Sequence, residues 1–136
     1  MRSETCRKGE IAKCEVLRRA YERDIVVSIP TIDADYDLVF DVDGKLIKAQ
    51  VKYASGKPSN STGSVFLDLR RTTRNGKVLT YQRHEVDVLL VYLADEDKVV
   101  WLPPDVWDGK SSVTIRTKPS KNRQLKGLRL ASDYEW

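Results

Sequence analysis

The chain has 136 residues, of which 40% are hydrophobic and 32% charged, and its 24 Lys and Arg against 20 Asp and Glu leave a formal net charge of +4. That length serves one domain with a sizeable core but not two ordinary ones, and the balance of apolar and charged residues excludes wholesale disorder. No apolar run nears the roughly 20 residues that a membrane-spanning helix needs, and Met1 to Glu10 has no apolar leader segment, so a cytoplasmic protein without membrane attachment is expected.

The first expected element is a helix over Lys8 to Arg23. Ile11, Ala12, Val16, Leu17, Ala20 and Tyr21 recur at helical spacing, leaving Lys13, Arg18, Arg19 and Glu22 outside. Arg7 and Lys8 at its start oppose the helix dipole. Cys6 and Cys14 on this stretch stand about 12 Å apart along a helix axis, too far to bridge, so both are expected as reduced thiols. Ile25 to Ile29 is a short β-rich run closed by Pro30.

A tight hairpin follows. Tyr36 to Val42 alternates, Leu38, Phe40 and Val42 against Asp37, Val39 and Asp41, and Asp43-Gly44 supplies the positive φ values of a two-residue turn. Lys45 to Tyr53 returns with Ile47, Ala49 and Val51 on one face and Leu46, Lys48, Gln50 and Lys52 on the other. Ser55 to Ser64 reads as a loop. Val65 to Thr72 and Val78 to Tyr81 suggest a second hairpin around Asn75-Gly76. Val86 to Leu93 is almost wholly apolar, as a strand covered on both faces would be, with Val99 to Leu102 as its neighbour. Pro103-Pro104 turns the chain, Val113 to Thr117 is a last strand, and the tail ends in Tyr134 and Trp136. One helix followed by several strands indicates a single α/β domain over residues 1–136, with a mixed central sheet on which the N-terminal helix packs.

Charge is separated along the chain. Gly109 to Ser132 and Leu69 to His84 contain no acidic residue, whereas Asp33, Asp35, Asp37, Asp41 and Asp43 cluster. A local positive field of this kind suits a phosphate backbone, although a solvated basic face has the same composition. Arg70, Arg71, Arg74 and Lys77 in the second hairpin, and Lys118, Lys121, Arg123 and Lys126 near the C-terminus, are the candidate DNA contacts.

The tight hairpin also carries the candidate chemistry. Gln50 and Lys52 lie two apart and share a face, and pairing across the turn brings Asp37 within about 5 Å of their strand. Glu10, near the start of the helix, offers a second carboxylate. A carboxylate, an amide oxygen and a backbone carbonyl, here that of Val51, make the hard, oxygen-rich set that suits Mg²⁺. Such a cation polarises a scissile phosphate, and a neighbouring lysine orients water or offsets transition-state charge. The same three residue types are also ordinary on the solvent face of any hairpin. Asp35 and Asp41 compete for the role of Asp37, but Asp41 sits nearer the turn and Asp35 is less securely within the strand. His84 stands alone, Asp87 reads as a structural acid, and Trp101, Trp107 and Trp136 as core or interface. Two cysteines and one histidine make no zinc pattern.

Taken together, Gly9-Glu10-Ile11-Ala12, Asp37-Leu38-Val39, Asp43-Gly44 and Gln50-Val51-Lys52 resemble the PD-(D/E)XK nuclease superfamily. The likeness is to its branch of group I intron-encoded homing endonucleases, where Gln replaces the usual acid in a Q-X-K variant. It continues through Tyr81, Val86-Asp87-Val88, Val91-Tyr92, Trp101-Leu102-Pro103, Ile115-Arg116, Asn122, Gln124, Ala131 and Asp133-Tyr134, and so spans nearly the whole chain.

The resemblance implies a restriction-endonuclease-like fold, with Glu10 and Asp37 as metal-site carboxylates, Gln50 as a neutral third ligand and Lys52 as the catalytic lysine. Tyr36 stands where the family motif has proline, and Gln50 removes one negative charge, which leaves metal binding more dependent on Glu10. The function so implied is a Mg²⁺-dependent DNA endonuclease, with Mn²⁺ as a substitute, probing double-stranded or branched DNA as a homodimer or higher homo-oligomer. Two other readings share the fold: a structure-specific nuclease such as a Holliday-junction resolvase, and a catalytically silent nucleic-acid-binding module.

Overall fold

The computed structural model describes residues 3–55, 63–118 and 129–136. Helix α1 (Glu4–Glu22) begins four residues earlier than its periodicity suggests, because Ser3 caps it: Ser3 Oγ accepts the Cys6 N–H at 3.2 Å, and Glu4 occupies the first turn. Arg7 and Lys8 therefore lie beyond the turn where they would oppose the dipole, and Lys8 pairs with Glu4 at 2.8 Å. At the other end Asp24 adopts φ 59°, and the N–H groups of Asp24 and Ile25 close onto the carbonyls of Tyr21 and Ala20.

The buried stripe of α1 also differs from expectation. It runs through Ala12, Val16, Arg19 and Ala20, while Ile11 and Tyr21 are exposed. Arg19 is drawn in by its partners. Its guanidinium donates to Glu15 Oε2 at 2.6 Å and to the Asp97 carbonyl at 3.0 Å, and stacks over Tyr92. Cys6 and Cys14 are both exposed free thiols. Among the described residues no helix is long and apolar enough to cross a membrane.

Strands β1 (Val26–Ser28), β2 (Leu38–Val42) and β3 (Lys45–Ala54) follow α1 in sequence as an antiparallel run. The β2–β3 turn is the expected one, with Asp43 at φ 52° and Gly44 at φ 81°, and Asp41 Oδ1 accepting the Gly44 N–H at 3.0 Å. Most of the loop expected over Ser55 to Ser64 lies outside the described residues, and Ser64 already belongs to β4 (Ser64–Asp68); then come β5 (Arg71–Thr72), β6 (Val78–Leu79), β7 (Val88–Leu93), β8 (Lys98–Leu102), the short helix α2 (Pro104–Trp107) and β9 (Ser112–Arg116). The central sheet has five strands in the order β1-β2-β3-β7-β8, with β3 and β7 parallel and the other neighbours antiparallel.

The second hairpin is smaller than its sequence suggests. Val65 to Asp68 belongs to β4, which pairs with β9, and only Arg71–Thr72 and Val78–Leu79 form the hairpin. The break has a local cause. Asp68 Oδ1 accepts the Arg70 N–H at 3.0 Å, turning the chain out of β4, and the Leu69 N–H goes to the Ser111 carbonyl.

Both faces of the sheet are covered at β7, all six of whose residues are buried. Ala12, Val16 and Ala20 of α1 pack on Leu38, Phe40, Ala49, Val51, Val88 and Leu90. On the opposite face Leu89, Val91, Leu93 and Leu102 meet Val65, Leu67, Val113, Ile115 and Trp107. Trp136 returns to the α1 side, stacking on Phe40 at 5.7 Å and packing tilted against Trp101 at 5.8 Å between ring centroids. On the face away from α1, Val26 and Leu46 stay exposed, flanking Asp41 in the register of β1, β2 and β3.

Candidate active site

The site grows out of the place where β2 begins. The register of β2 with β3 ends at the pair Leu38 and Ala49, and Asp37 stands one residue before β2. The Asp37 N–H still bonds the Ala49 carbonyl at 2.9 Å. Past that point the side chain takes over from the backbone: Asp37 Oδ2 accepts the Val51 N–H at 3.0 Å. The N–H and C=O of one strand residue point to the same side, so the Val51 carbonyl also aims past the start of β2. Among the described residues no backbone amide outside the sheet ladders donates to it. The Asp37 carboxylate and the Val51 backbone thus meet at one strand end, with Gln50 beside Val51 in β3.

Lys52 lies two residues on, on the Gln50 face. Its Nζ stands 4.9 Å from the centroid of the buried Tyr81 ring, and Asp68 of β4 lies within range of its charge. The Asp68 carboxyl is held well below the ordinary carboxylate range, chiefly by the side-chain and backbone hydrogen bonds of Arg70 and only last by Lys52. Lys52 lines a cleft of about 370 Å³ between the start of α1 and β4, together with Thr5, Lys8, Gly9, Phe66 and Asp68.

Glu10 reaches the site indirectly. It is exposed on α1 and pairs with Lys13 at 2.6 Å. Lys13 is held above the usual lysine range, first by its hydrogen bond to Glu10 and then by the charges of Glu10 and Asp37. Lys13 and Asp37 line a second cleft, of about 260 Å³, with the chain from Ile29 to Tyr36. A cation between two carboxylates is thus already present as a side chain. Among the described residues no three His, Cys, Asp or Glu side chains gather at one point. The donors offered around Asp37 are its carboxylate, the Val51 carbonyl and, one residue along β3, the Gln50 amide oxygen, a hard oxygen set that fits a divalent cation keeping several waters.

Comparison with known proteins bears on what this arrangement is for. A family model for PD-(D/E)XK endonucleases matches residues 3–136. The chain belongs to the PD-(D/E)XK endonuclease family. Among solved structures, the bacterial homing endonuclease I-Ssp6803I is 31% identical with a TM-score of 0.76, over 98% of this chain and 89% of that one. A second, MepB, is 16% identical with a TM-score of 0.44, over 84% of this chain and 85% of that one. No curated protein sequence matches. The mixed sheet with its N-terminal helix is accordingly the restriction-endonuclease-like fold expected of this PD-(D/E)XK nuclease.

Three other acids of this endonuclease are engaged away from Asp37. Asp35 pairs with Arg71 at 2.9 Å, Asp41 caps the β2–β3 turn, and Asp87 Oδ2 accepts the Lys48 N–H at 2.8 Å, fastening the start of β7 to β3. His84 is exposed, its carbonyl accepting from Lys48 Nζ at 3.3 Å.

The basic candidates divide. Arg70 is paired with Asp68, and Arg71 is half-buried between Asp35 and Glu85, its guanidinium over the Tyr81 ring. Arg74 and Lys77 are exposed at the tip of the β5–β6 hairpin and, among the described residues, make no ion pair. Lys118 is exposed just after β9, while Lys121, Arg123 and Lys126 lie outside the described residues. Lys13 and Asp68 were not singled out from sequence. Lys13 had a signal, its i,i+3 spacing from Glu10. Asp68 had none, because its approach to Lys52 depends on how β4 packs.

Proposed function

We propose that this endonuclease is a divalent-metal-dependent enzyme that hydrolyses phosphodiester bonds of double-stranded DNA at a defined site, using Mg²⁺, with Mn²⁺ as a substitute. The observation that carries this reading is the bond from the Val51 N–H to Asp37 Oδ2, which sets a carboxylate beside the Val51 backbone, between Gln50 and Lys52. Similarity to a bacterial homing endonuclease supports a site-specific cut.

Asp37, the Val51 carbonyl and Gln50 would hold the cation, with Glu10 joining them once it leaves Lys13. When bound, the cation supplies Lewis-acid chemistry, polarising the scissile phosphate and acidifying a water. Lys52 orients that water for attack on phosphorus and offsets the charge that builds on the phosphoryl oxygens. The water oxygen bonds to phosphorus as its proton passes to solvent, the phosphorus–oxygen bond to the leaving strand end breaks, and the leaving oxygen takes a proton from solvent. One such site cuts one strand, so a double-strand break calls for a homodimer or higher homo-oligomer.

Cleavage of plasmid DNA in Mg²⁺ tests this, comparing the parent chain with Asp37→Ala and Lys52→Ala after thermal unfolding has shown all three to be folded. Both variants should bind DNA and fail to cut. Equal cleavage by all three would refute the assignment, and cleavage of a four-way junction without sequence preference would replace it with a structure-specific nuclease.

A further inference from the structure

A lysine on a flexible four-carbon stem needs something to hold it if it is to meet one water or one phosphate oxygen. Among the described residues, Lys52 has no carboxylate within ion-pair distance. Asp68 is near enough to feel its charge, but Arg70 occupies both Asp68 oxygens at 2.9 Å. What Lys52 Nζ does have is the Tyr81 ring, 4.9 Å from nitrogen to centroid. We propose that Tyr81 is the positioning residue of Lys52, its ring face fixing the ammonium while leaving the charge and the N–H donors free for substrate. This rests on the reading of Lys52 as the catalytic lysine.

The chemistry of the contact favours this role. A carboxylate would neutralise the lysine and take up its donors, whereas a ring face attracts a cation through its quadrupole and asks for no hydrogen bond. The ring is itself well anchored. Tyr81 is 5% exposed, it packs in the core beneath β7, and its carbonyl accepts the Gly109 N–H at 3.0 Å. The same ring receives the Arg71 guanidinium, also at 4.9 Å, and Arg71 is fastened to Asp35 and Glu85. Asp35 stands two residues before Asp37. The ring that holds the lysine is therefore linked, through one arginine, to the segment that delivers the carboxylate.

Three measurements on the intact chain test the assignment. In the proton spectrum of the unaltered protein, the ε-methylene of Lys52, identified by its disappearance in Lys52→Met, should be shifted upfield by the ring. In Tyr81→Leu that shift should vanish, and kcat for DNA cleavage should fall by about 10- to 100-fold while DNA affinity measured in Ca²⁺ stays within about twofold. Tyr81→Phe, which keeps the ring, should restore both the shift and the rate. An unshifted Lys52 signal in the unaltered protein overturns the proposal even if Tyr81→Leu does not fold, and so does a folded Tyr81→Leu that cuts at the parent rate. If the unaltered protein cuts no DNA under any metal, it is the nuclease reading of the site that fails, and the spectrum still decides whether ring and lysine meet.

Discussion

Asp37 Oδ2 accepts the N–H of Val51 at 3.0 Å, so a side chain continues the β2–β3 ladder one step after the β2 backbone has left it. Substitutions at Asp37 should therefore separate structure from chemistry. Asp37→Ala leaves a half-buried N–H without its partner and should cost about 1–3 kcal/mol, read as a lower denaturant midpoint. Asp37→Asn keeps an oxygen for that N–H and loses only the charge, so its stability should stay within about 1 kcal/mol of the parent. Both should be equally unable to cleave. An Asn variant that cuts at the parent rate would show that the Asp37 charge is not needed.

Gln50 adjoins Val51, whose N–H binds Asp37, and Gln50→Glu would bring a second carboxylate to that strand end. Without metal, the added like charge should destabilise the fold by about 0.2–1 kcal/mol. With a divalent cation the sign reverses, because the added charge tightens binding and binding stabilises the folded state. Thermal unfolding across a Ca²⁺ titration checks this. The variant should unfold earlier than the parent in chelator and show the larger rise with Ca²⁺. Equal rises would mean that position 50 does not face the cation.

Arg71 and Arg74 are three residues apart and should behave in opposite ways. Arg71 is held by Asp35, Glu85 and the Tyr81 ring, and its Nε is buried without a hydrogen-bond partner among the described residues. Arg71→Ala strands two carboxylates and should cost about 1–2 kcal/mol of stability. Arg74→Ala and Lys77→Ala should leave stability within about 0.5 kcal/mol. Each should instead lower the slope of log DNA affinity against log salt by about one. An unchanged slope in both would move the DNA interface away from this hairpin.

The parts of this fold that could be read in the sequence are those fixed by neighbours along the chain. Asp43-Gly44 between two alternating runs specified the register of β2 and β3, and with it the shared face of Gln50 and Lys52. The apolar run of β7 announced cover on both faces. Where a partner lies far off, the pattern is silent. Val65 to Asp68 has a strand's composition, but nothing in it says that β9 rather than the Asn75-Gly76 hairpin pairs with it. Arg19 reads as an exposed helix residue until Asp97 and Tyr92 are brought to it. Tyr81 could be named from the resemblance but not tied to Lys52, because the two sit on elements joined only by packing.

Tyr92 offers a test of that packing through pH. Its hydroxyl donates to Asp97 Oδ1 at 2.9 Å beside the Arg19 guanidinium. Burial foremost, then the bond to Asp97, pushes the phenol up to about 12, while Arg19 acts weakly in the other direction. The unfolded chain releases the same proton near about 10. The folded state thus binds the proton more tightly, and its stabilising contribution is complete below pH about 10 and lost as pH rises toward 12. Tyr92→Phe lacks both the proton and the hydrogen bond, so at pH 7 it should be less stable than the parent by about 0.5–1.5 kcal/mol. Between pH 10 and 12 the gap should close, because only the parent still has a phenol to ionise. Urea midpoints of the two proteins along that range measure the difference directly, and other titrating groups cancel between them. Parallel curves would mean that the hydroxyl ionises as freely in the folded protein as in the unfolded one, and that Arg19 and Asp97 do not enclose it.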